Sequence, residues 1–324
     1  MIDINKGADI IIRRWLKLKP GEYLTIITDD ACRNQANAIA ASARQTGGKV
    51  NMILIPKEEE HGSSILDTVP YSRAIEMSDV IIGATTYSLI TSKKINEVTA
   101  TGHRYLSLPL ATNNGIPMLS FNFITMPPDE ARAMAERIKQ KLHECRTARV
   151  TTTMGTDIVM DLSGRWANWF TGDFSNGTFC DSSCFEVYTA PIETGTNGIM
   201  VVDGSFGYLG KPCKPLKITF KEGRIVHIED TSDGYKLSTY IKDFNDPNML
   251  VAAEFGLGMN KCGCCDGNCY IEDESAYGTF HIGMGRNITL GGVNDATGHF
   301  DLVCHRPTVF LDDEIIFDDG EIAV

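Results

Sequence analysis

The sequence predicts an α/β protein in two parts: a parallel-sheet α/β domain over residues 1–128, then a β-rich α+β domain over residues 129–324. Three observations predict it. In the first part, apolar β-rich runs alternate with helical periodicity. At Pro127-Pro128 a break opens a long helix. Beyond that helix the chain turns to short β-rich runs separated by glycines.

The first strand is expected over Glu22–Thr28 (EYLTIIT) and the second over Lys49–Ile55 (KVNMILI). Between them, Ala36, Ile39, Ala40 and Ala43 recur at helical spacing until Gly47-Gly48 ends the run. Ser78–Gly83, Arg104–Leu108 and Ile116–Phe121 continue the strand series. Apolar strands alternating with helices predict a mainly parallel sheet covered on both faces. No G-x-G-x-x-G and no G-x-x-x-x-G-K-[ST] follows a strand, which argues against a nucleotide site.

Asp129–Cys145 is the clearest helix, with prolines before it and acids in its first turn. Its His143-Glu144 lacks the second histidine of a zinc-protease H-E-x-x-H, because Thr147 stands there. Arg149–Asp161, Gly198–Val202, Leu216–Phe220 and Arg224–Ile228 follow as strands. Lys221-Glu-Gly-Arg224 reads as a hairpin turn.

The chain has 324 residues, 43% of them hydrophobic and 22% charged, as expected of a globular protein with a large core. A formal net charge of −12 argues against general affinity for nucleic acid or an anionic membrane. The N-terminus shows no secretory pattern and no apolar run reaches membrane-spanning length, so a cytoplasmic location is expected. Ten cysteines in such a chain predict reduced thiols or metal thiolates rather than disulfides.

Donor atoms crowd into the last quarter. His281, His299 and His305 lie there, as do Cys262, Cys264, Cys265, Cys269 and Cys304, with Glu254 and Asp301 between them. His299-x-Asp301 in an extended segment puts imidazole and carboxylate on one face, a half-site for Zn²⁺, Mn²⁺, Co²⁺ or Fe²⁺. Glu186 and Glu254 sit in apolar surroundings, where an unpaired carboxylate is costly; a metal ion or a basic partner would relieve either one. His305 stands as a reserve ligand or a supporting residue. Cys262, Cys264, Cys265 and Cys269 share a glycine-rich loop with little apolar content. Their roles divide between a second metal or iron–sulfur cluster and free thiols, and Cys180 with Cys184 could join them. A Cys304–His305 dyad is a weaker nucleophile candidate. Asp203-Gly-Ser-Phe-Gly207 is not a G-x-S-x-G elbow.

The ordered segments Cys184–Pro191, Ala252–Asn260, Asp273–Gly285 and Gly298–Val303 resemble the aminopeptidase T family of metallopeptidases. Thr151–Arg165 and the opening Leu18–Ile26 are similar to that family too. The resemblance implies Glu186, Glu254, His281, His299 and Asp301 as ligands of paired divalent ions (Zn, Co or Mn). It further implies a catalytic role for Glu254, a peptide or related amide substrate, and a homodimer; Glu274 is expected either to support the ligands from behind or to aid water activation. In this reading Glu186 and Glu254 hold one ion, and His281, His299 and Asp301 the other, with a bridging glutamate as a further option. The peptidases carry a tyrosine after the first histidine motif, where this chain has Arg286–Gly292. The 2,5-dihydroxypyridine 5,6-dioxygenases are a sister group on the same scaffold. They imply an alternative in which His281, His299 and Asp301 form a facial triad for Fe(II), O₂ and a small ring substrate. A noncatalytic metal or small-molecule binder is the third expectation.

Overall fold

The computed structural model describes residues 1–57, 64–174 and 177–324. The chain forms two compact units: Met1–Pro128 with Phe170–Cys184, and Asp129–Trp169 with Phe185–Val324. A division into two consecutive halves therefore needs one correction. Residues 170–184, expected in the second domain, return to the first.

The first unit carries α1 (Ile4–Ile10), continued by a π-helical turn at Ile11–Trp15. Then follow β1 (Tyr23–Thr28), α2 (Arg33–Gln45), β2 (Lys49–Leu54), α3 (Val69–Glu76), β3 (Val80–Ala84), α4 (Lys93–Ala100) and β4 (Arg104–Ser107). The second unit opens with α5 (Pro128–Glu144), β5 (Thr147–Thr151), β6 (Asp157–Asp161) and β7 (Ala167–Phe170). After β8 (Cys180–Ser182) in the first unit, the chain continues with β9 (Glu186–Thr189), β10 (Asn197–Val202), β11 (Leu216–Lys221) and β12 (Arg224–Ile228). It ends with α6 (Ser232–Asp243), β13 (Ala252–Gly258), α7 (Tyr270–Ser275), β14 (Thr279–Gly285), β15 (His299–His305), β16 (Thr308–Leu311), β17 (Glu314–Asp318) and β18 (Glu321–Ile322).

The expected parallel sheet is present, in the order β2-β1-β3-β4-β8, with every neighbouring pair parallel. β3 is buried at all five positions, as a strand covered on both faces must be. Its fifth strand escapes sequence reading, because Cys180–Ser182 is only three residues long and comes from the far side of α5. The strand expected over Ile116–Phe121 is instead a 3₁₀ turn at Met118–Ser120. Pro117 cannot donate to a ladder, the Leu119 N–H goes to Gln35 Oε1 at 3.0 Å, and the Ser120 carbonyl accepts from Ile2.

The second unit holds two sheets, antiparallel at every pairing among β5, β6 and β9 to β18. One has eight strands in the order β12-β11-β10-β6-β5-β16-β17-β18. β5 and β6 alternate exposed and buried positions, so one face of this sheet meets solvent. The other sheet, β15-β14-β13-β9-β7, is different: β9, β13 and β14 are buried at every position. On one face stand Phe255, Leu257, Phe280, Ile282, Phe300 and Leu302, all fully buried. The alternate positions hold glutamate, glycine, histidine and aspartate. A buried polar face needs partners for its charges, and that requirement leads to the site.

Candidate metal centre

Strand alternation brings the donors to one face and cross-strand register brings them together. Glu186 on β9 pairs with Gly258 on β13. Glu254 on β13 pairs with Gly283 on β14, and His281 on β14 pairs with Gly256. Asp301 and His299 on β15 pair with Gly283 and Gly285. Each donor thus stands opposite a glycine on a neighbouring strand, which leaves room for a large polar side chain to lie across the sheet. At Gly256 a Cβ would come within 2.0 Å of His281 Nε2. At Gly283 it would come within 2.7 Å of the His299 ring and 2.8 Å of Glu254 Cβ.

The donors form two overlapping groups, Glu186–Glu254–His281 and Glu254–His299–Asp301, each with ligand atoms within 4.8 Å of one another. The grouping differs from the one expected from sequence at His281, which sits with the two glutamates, while Glu254 is shared by both groups. His281 Nε2 lies 2.8 Å from Glu186 Oε2, and His299 Nε2 lies 3.1 Å from Glu254 Oε2 and 3.5 Å from Asp301 Oδ1. Glu186 Oε2 and Asp301 Oδ1 are nevertheless buried without a hydrogen-bond partner. The atoms converge at contact distance while the contacts lack hydrogen-bond direction. His299 Nδ1 meets the Arg286 carbonyl at 2.8 Å; with the proton on Nδ1, Nε2 is left as a free lone pair.

Electrostatics show the same mismatch. Burial, then the Glu186 charge, pushes Glu254 up to about 7. Glu274 is pushed well above the carboxylate range by burial and by Asp301 and Glu186. For His281 burial works against protonation, but contact with Glu186 outweighs it and raises the group to about 9. His299 is likewise held well above its ordinary value, Asp301 outweighing burial. Burial would raise Asp301 too, but the His299 charge carries it below the usual carboxylate range. Protons on buried imidazoles thus stand in for positive charge that four buried carboxyl groups require. The residues fit a divalent ion: the donor set is hard and borderline, two of its oxygens are orphaned, and a dication would supply the missing charge.

The cysteine loop does not converge. Cys262 and Cys264 are exposed, Cys265 packs with Ala276 and Val303, and Cys269 is buried just before α7. These four thiols enter no group of three close donors. Burial pushes Cys264 up to about 12 and raises Cys265 and Cys269 well above the thiol range, so none of these three is a ready thiolate. The loop's polar contacts are structural: Glu272 accepts from the Cys264 N–H at 3.3 Å and Asp273 from the Gly267 N–H at 2.9 Å. Cys180 and Cys184 belong to the other unit. His305 meets Asp203 at 3.5 Å and the Cys265 carbonyl at 3.1 Å, outside both donor groups. Cys304 donates to the Val201 carbonyl at 3.1 Å and, as the next residue of a strand, points away from His305.

Two features escape sequence reading. The cradle glycines are written as E-x-G-x-G and H-x-G-x-G at 254–258 and 281–285, a signal in the strand period. Tyr270, whose hydroxyl donates to Asp301 Oδ2, carries no such signal.

A buried face of two imidazoles and three carboxylates has the donor chemistry to hold a divalent ion. The chain belongs to the 2,5-dihydroxypyridine 5,6-dioxygenase family, whose model matches residues 14–324. The 2,5-dihydroxypyridine 5,6-dioxygenase of Pseudomonas putida is 23% identical over 279 residues, covering 78% of this chain and 73% of that protein. The solved structure of 2,5-dihydroxypyridine dioxygenase from P. putida KT2440 superposes with a TM-score of 0.82 at 18% identity, over 99% of this chain and 97% of that one. AmpT from Thermus thermophilus superposes with a TM-score of 0.66 at 15% identity, over 99% of both chains. The family match overturns the expected aminopeptidase-like hydrolase with a peptide substrate; likeness to AmpT shows the shared fold alone. Among the described residues no helix is long and apolar enough to cross a membrane.

Proposed function

We propose that the chain is an Fe(II)-dependent dioxygenase that opens the ring of 2,5-dihydroxypyridine, or a close hydroxylated analogue, between C5 and C6. The observation that carries this reading is the family match over residues 14–324, which spans the whole donor-bearing face. Glu254, His299 and Asp301 would hold the ion, and Glu186 with His281 form the adjoining group that shares Glu254. When bound, iron supplies O₂ activation and a site for the substrate oxygens.

The chain's own residues would prepare that chemistry. The Arg286 carbonyl fixes the His299 ring through Nδ1. Glu274, buried and biased toward its protonated form, holds a proton beside Asp301 where substrate hydroxyls change charge. The apolar second face of the sheet and the buried strands exclude bulk water, which strengthens every charge interaction in the site. The test is an oxygen-electrode assay on anaerobically Fe(II)-loaded protein. The expected outcome is O₂ uptake that tracks loss of 2,5-dihydroxypyridine one for one. Protein that holds iron yet consumes no O₂ with this or related dihydroxypyridines would overturn the reading.

A further inference from the structure

We propose that Tyr270 is the positioning residue of the metal centre: its hydroxyl holds Oδ2 of Asp301, so that the carboxylate presents Oδ1 alone to the ion. This rests on the reading of Asp301 as a ligand.

Tyr270 is the first residue of α7, and its hydroxyl donates to Asp301 Oδ2. The other oxygen, Oδ1, is buried without a hydrogen-bond partner and faces His299 Nε2 at 3.5 Å. One carboxylate therefore has one engaged oxygen and one waiting oxygen. A carboxylate free to rotate can bind a cation through both oxygens; one held by a donor is confined to a single oxygen.

The phenol ring is itself held by two neighbours. Its ring lies on that of Tyr208, with centroids 4.2 Å apart and planes at 33°. Gly207 lies beneath it, where a Cβ would come within 3.1 Å of ring atoms Cδ2 and Cε2. The turn carrying these residues is tied to the same strand as Asp301: Gly204 N–H donates to the Val303 carbonyl at 3.1 Å, and Val303 N–H donates to the Ser205 carbonyl at 2.9 Å. Ring and carboxylate are thus referenced to one strand. Helix α7 is anchored independently, since the Ser275 hydroxyl accepts from the Phe185 N–H at 3.1 Å and the Ser275 carbonyl from the Asn260 N–H at 2.8 Å. A hydroxyl placed by so many contacts is suited to orient a ligand, a role that a freely moving phenol could not fill.

The test is Co²⁺ binding to the metal-free protein, which needs no substrate and reports coordination through its visible absorption. Tyr270→Phe keeps the ring and removes the donor. The expected result is roughly 10- to 100-fold weaker Co²⁺ binding. Its d–d band should also change as Asp301 engages through both oxygens, while metal-free melting stays that of the wild type. Wild-type affinity and spectrum in Tyr270→Phe would overturn the proposal. If that variant melts more than about 5 °C below the wild type, Tyr208→Leu decides instead, because it removes the ring stacked on Tyr270 while sparing the hydroxyl and the Asp301 backbone. Weaker binding there supports the proposal and unchanged binding overturns it. Asp301→Ala, titrated alongside, separates the two levels. Wild-type binding by Asp301→Ala removes the ligand reading and this proposal with it. Weak binding by Asp301→Ala with wild-type binding by Tyr270→Phe removes only the role of Tyr270.

Discussion

Two regions of the second unit are rich in donor atoms: the face of β9, β13, β14 and β15, and the loop from Cys262 to Cys269. Only the first brings its donors together. On the strands a period of two aligns side chains, antiparallel register fixes their neighbours, and glycines clear the space between them. In the loop no repeat aligns the four thiols. One packs in an apolar cluster, another is buried just before a helix, and two face solvent, while the backbone amides are pinned by Glu272 and Asp273. Donor density in sequence is therefore a poor guide to which donors meet in space; donor density on one regular face is a much better one.

The sharpest break in this comparison is loss of a face donor. His299→Ala or Asp301→Ala is expected to lower metal affinity by at least about 100-fold and to abolish turnover. Metal analysis after dialysis checks this, and full occupancy in both variants would sink the assignment. Next in size is the cradle. Gly256→Ala puts a Cβ where His281 Nε2 lies, so it should lower metal content sharply and cost about 1–3 kcal/mol in denaturant unfolding. Wild-type metal content in that variant would show that the glycine is dispensable.

Acidity sharpens the comparison further. In the metal-free protein His281 titrates at about 9 against an ordinary 6.5, a contribution fully present below 6.5 and lost as pH rises through 9. Glu254, at about 7 against 4.5, binds its proton more tightly when folded, so stability also falls between 4.5 and 7. Asp301, shifted downward, acts only in the acid range below these. Metal-free melting temperature should therefore fall from pH 5 to pH 9, while stabilisation by added Co²⁺ grows over the same interval because the ion replaces those protons. Melting curves with and without Co²⁺ decide it; a metal-induced shift that shrinks with pH would contradict the site. The smallest effect belongs to the loop. Cys262→Ser with Cys264→Ser should leave bound metal unchanged and turnover within about twofold, since exposed substitutions seldom exceed a fraction of a kcal/mol. Loss of iron or acid-labile sulfide from that variant would restore a metal role for the loop.

What the sequence determined by itself is whatever depends on neighbours along the chain. The alternation of β1 to β4 with α2 to α4, the helix after Pro127-Pro128, and the face shared by His299 and Asp301 are all periodicities within one segment. The donors Glu186, Glu254, His281, His299 and Asp301 stand out as buried-type polar residues in strand-like surroundings, and the face collects all five. Tertiary structure decided what periodicity cannot express. Register between β13 and β14 placed His281 with Glu186 and Glu254, against the expected grouping with His299 and Asp301. A three-residue strand returned residues 170–184 to the first unit, because pairing along β4 outweighs their position in the chain. Tyr270 reached Asp301 across 31 positions through the packing of α7, and the thiols were dispersed by burial and backbone contacts. The physical reason is common to all of these. Side-chain period is a local property of backbone geometry, whereas register, strand order and helix docking are set by contacts between distant segments.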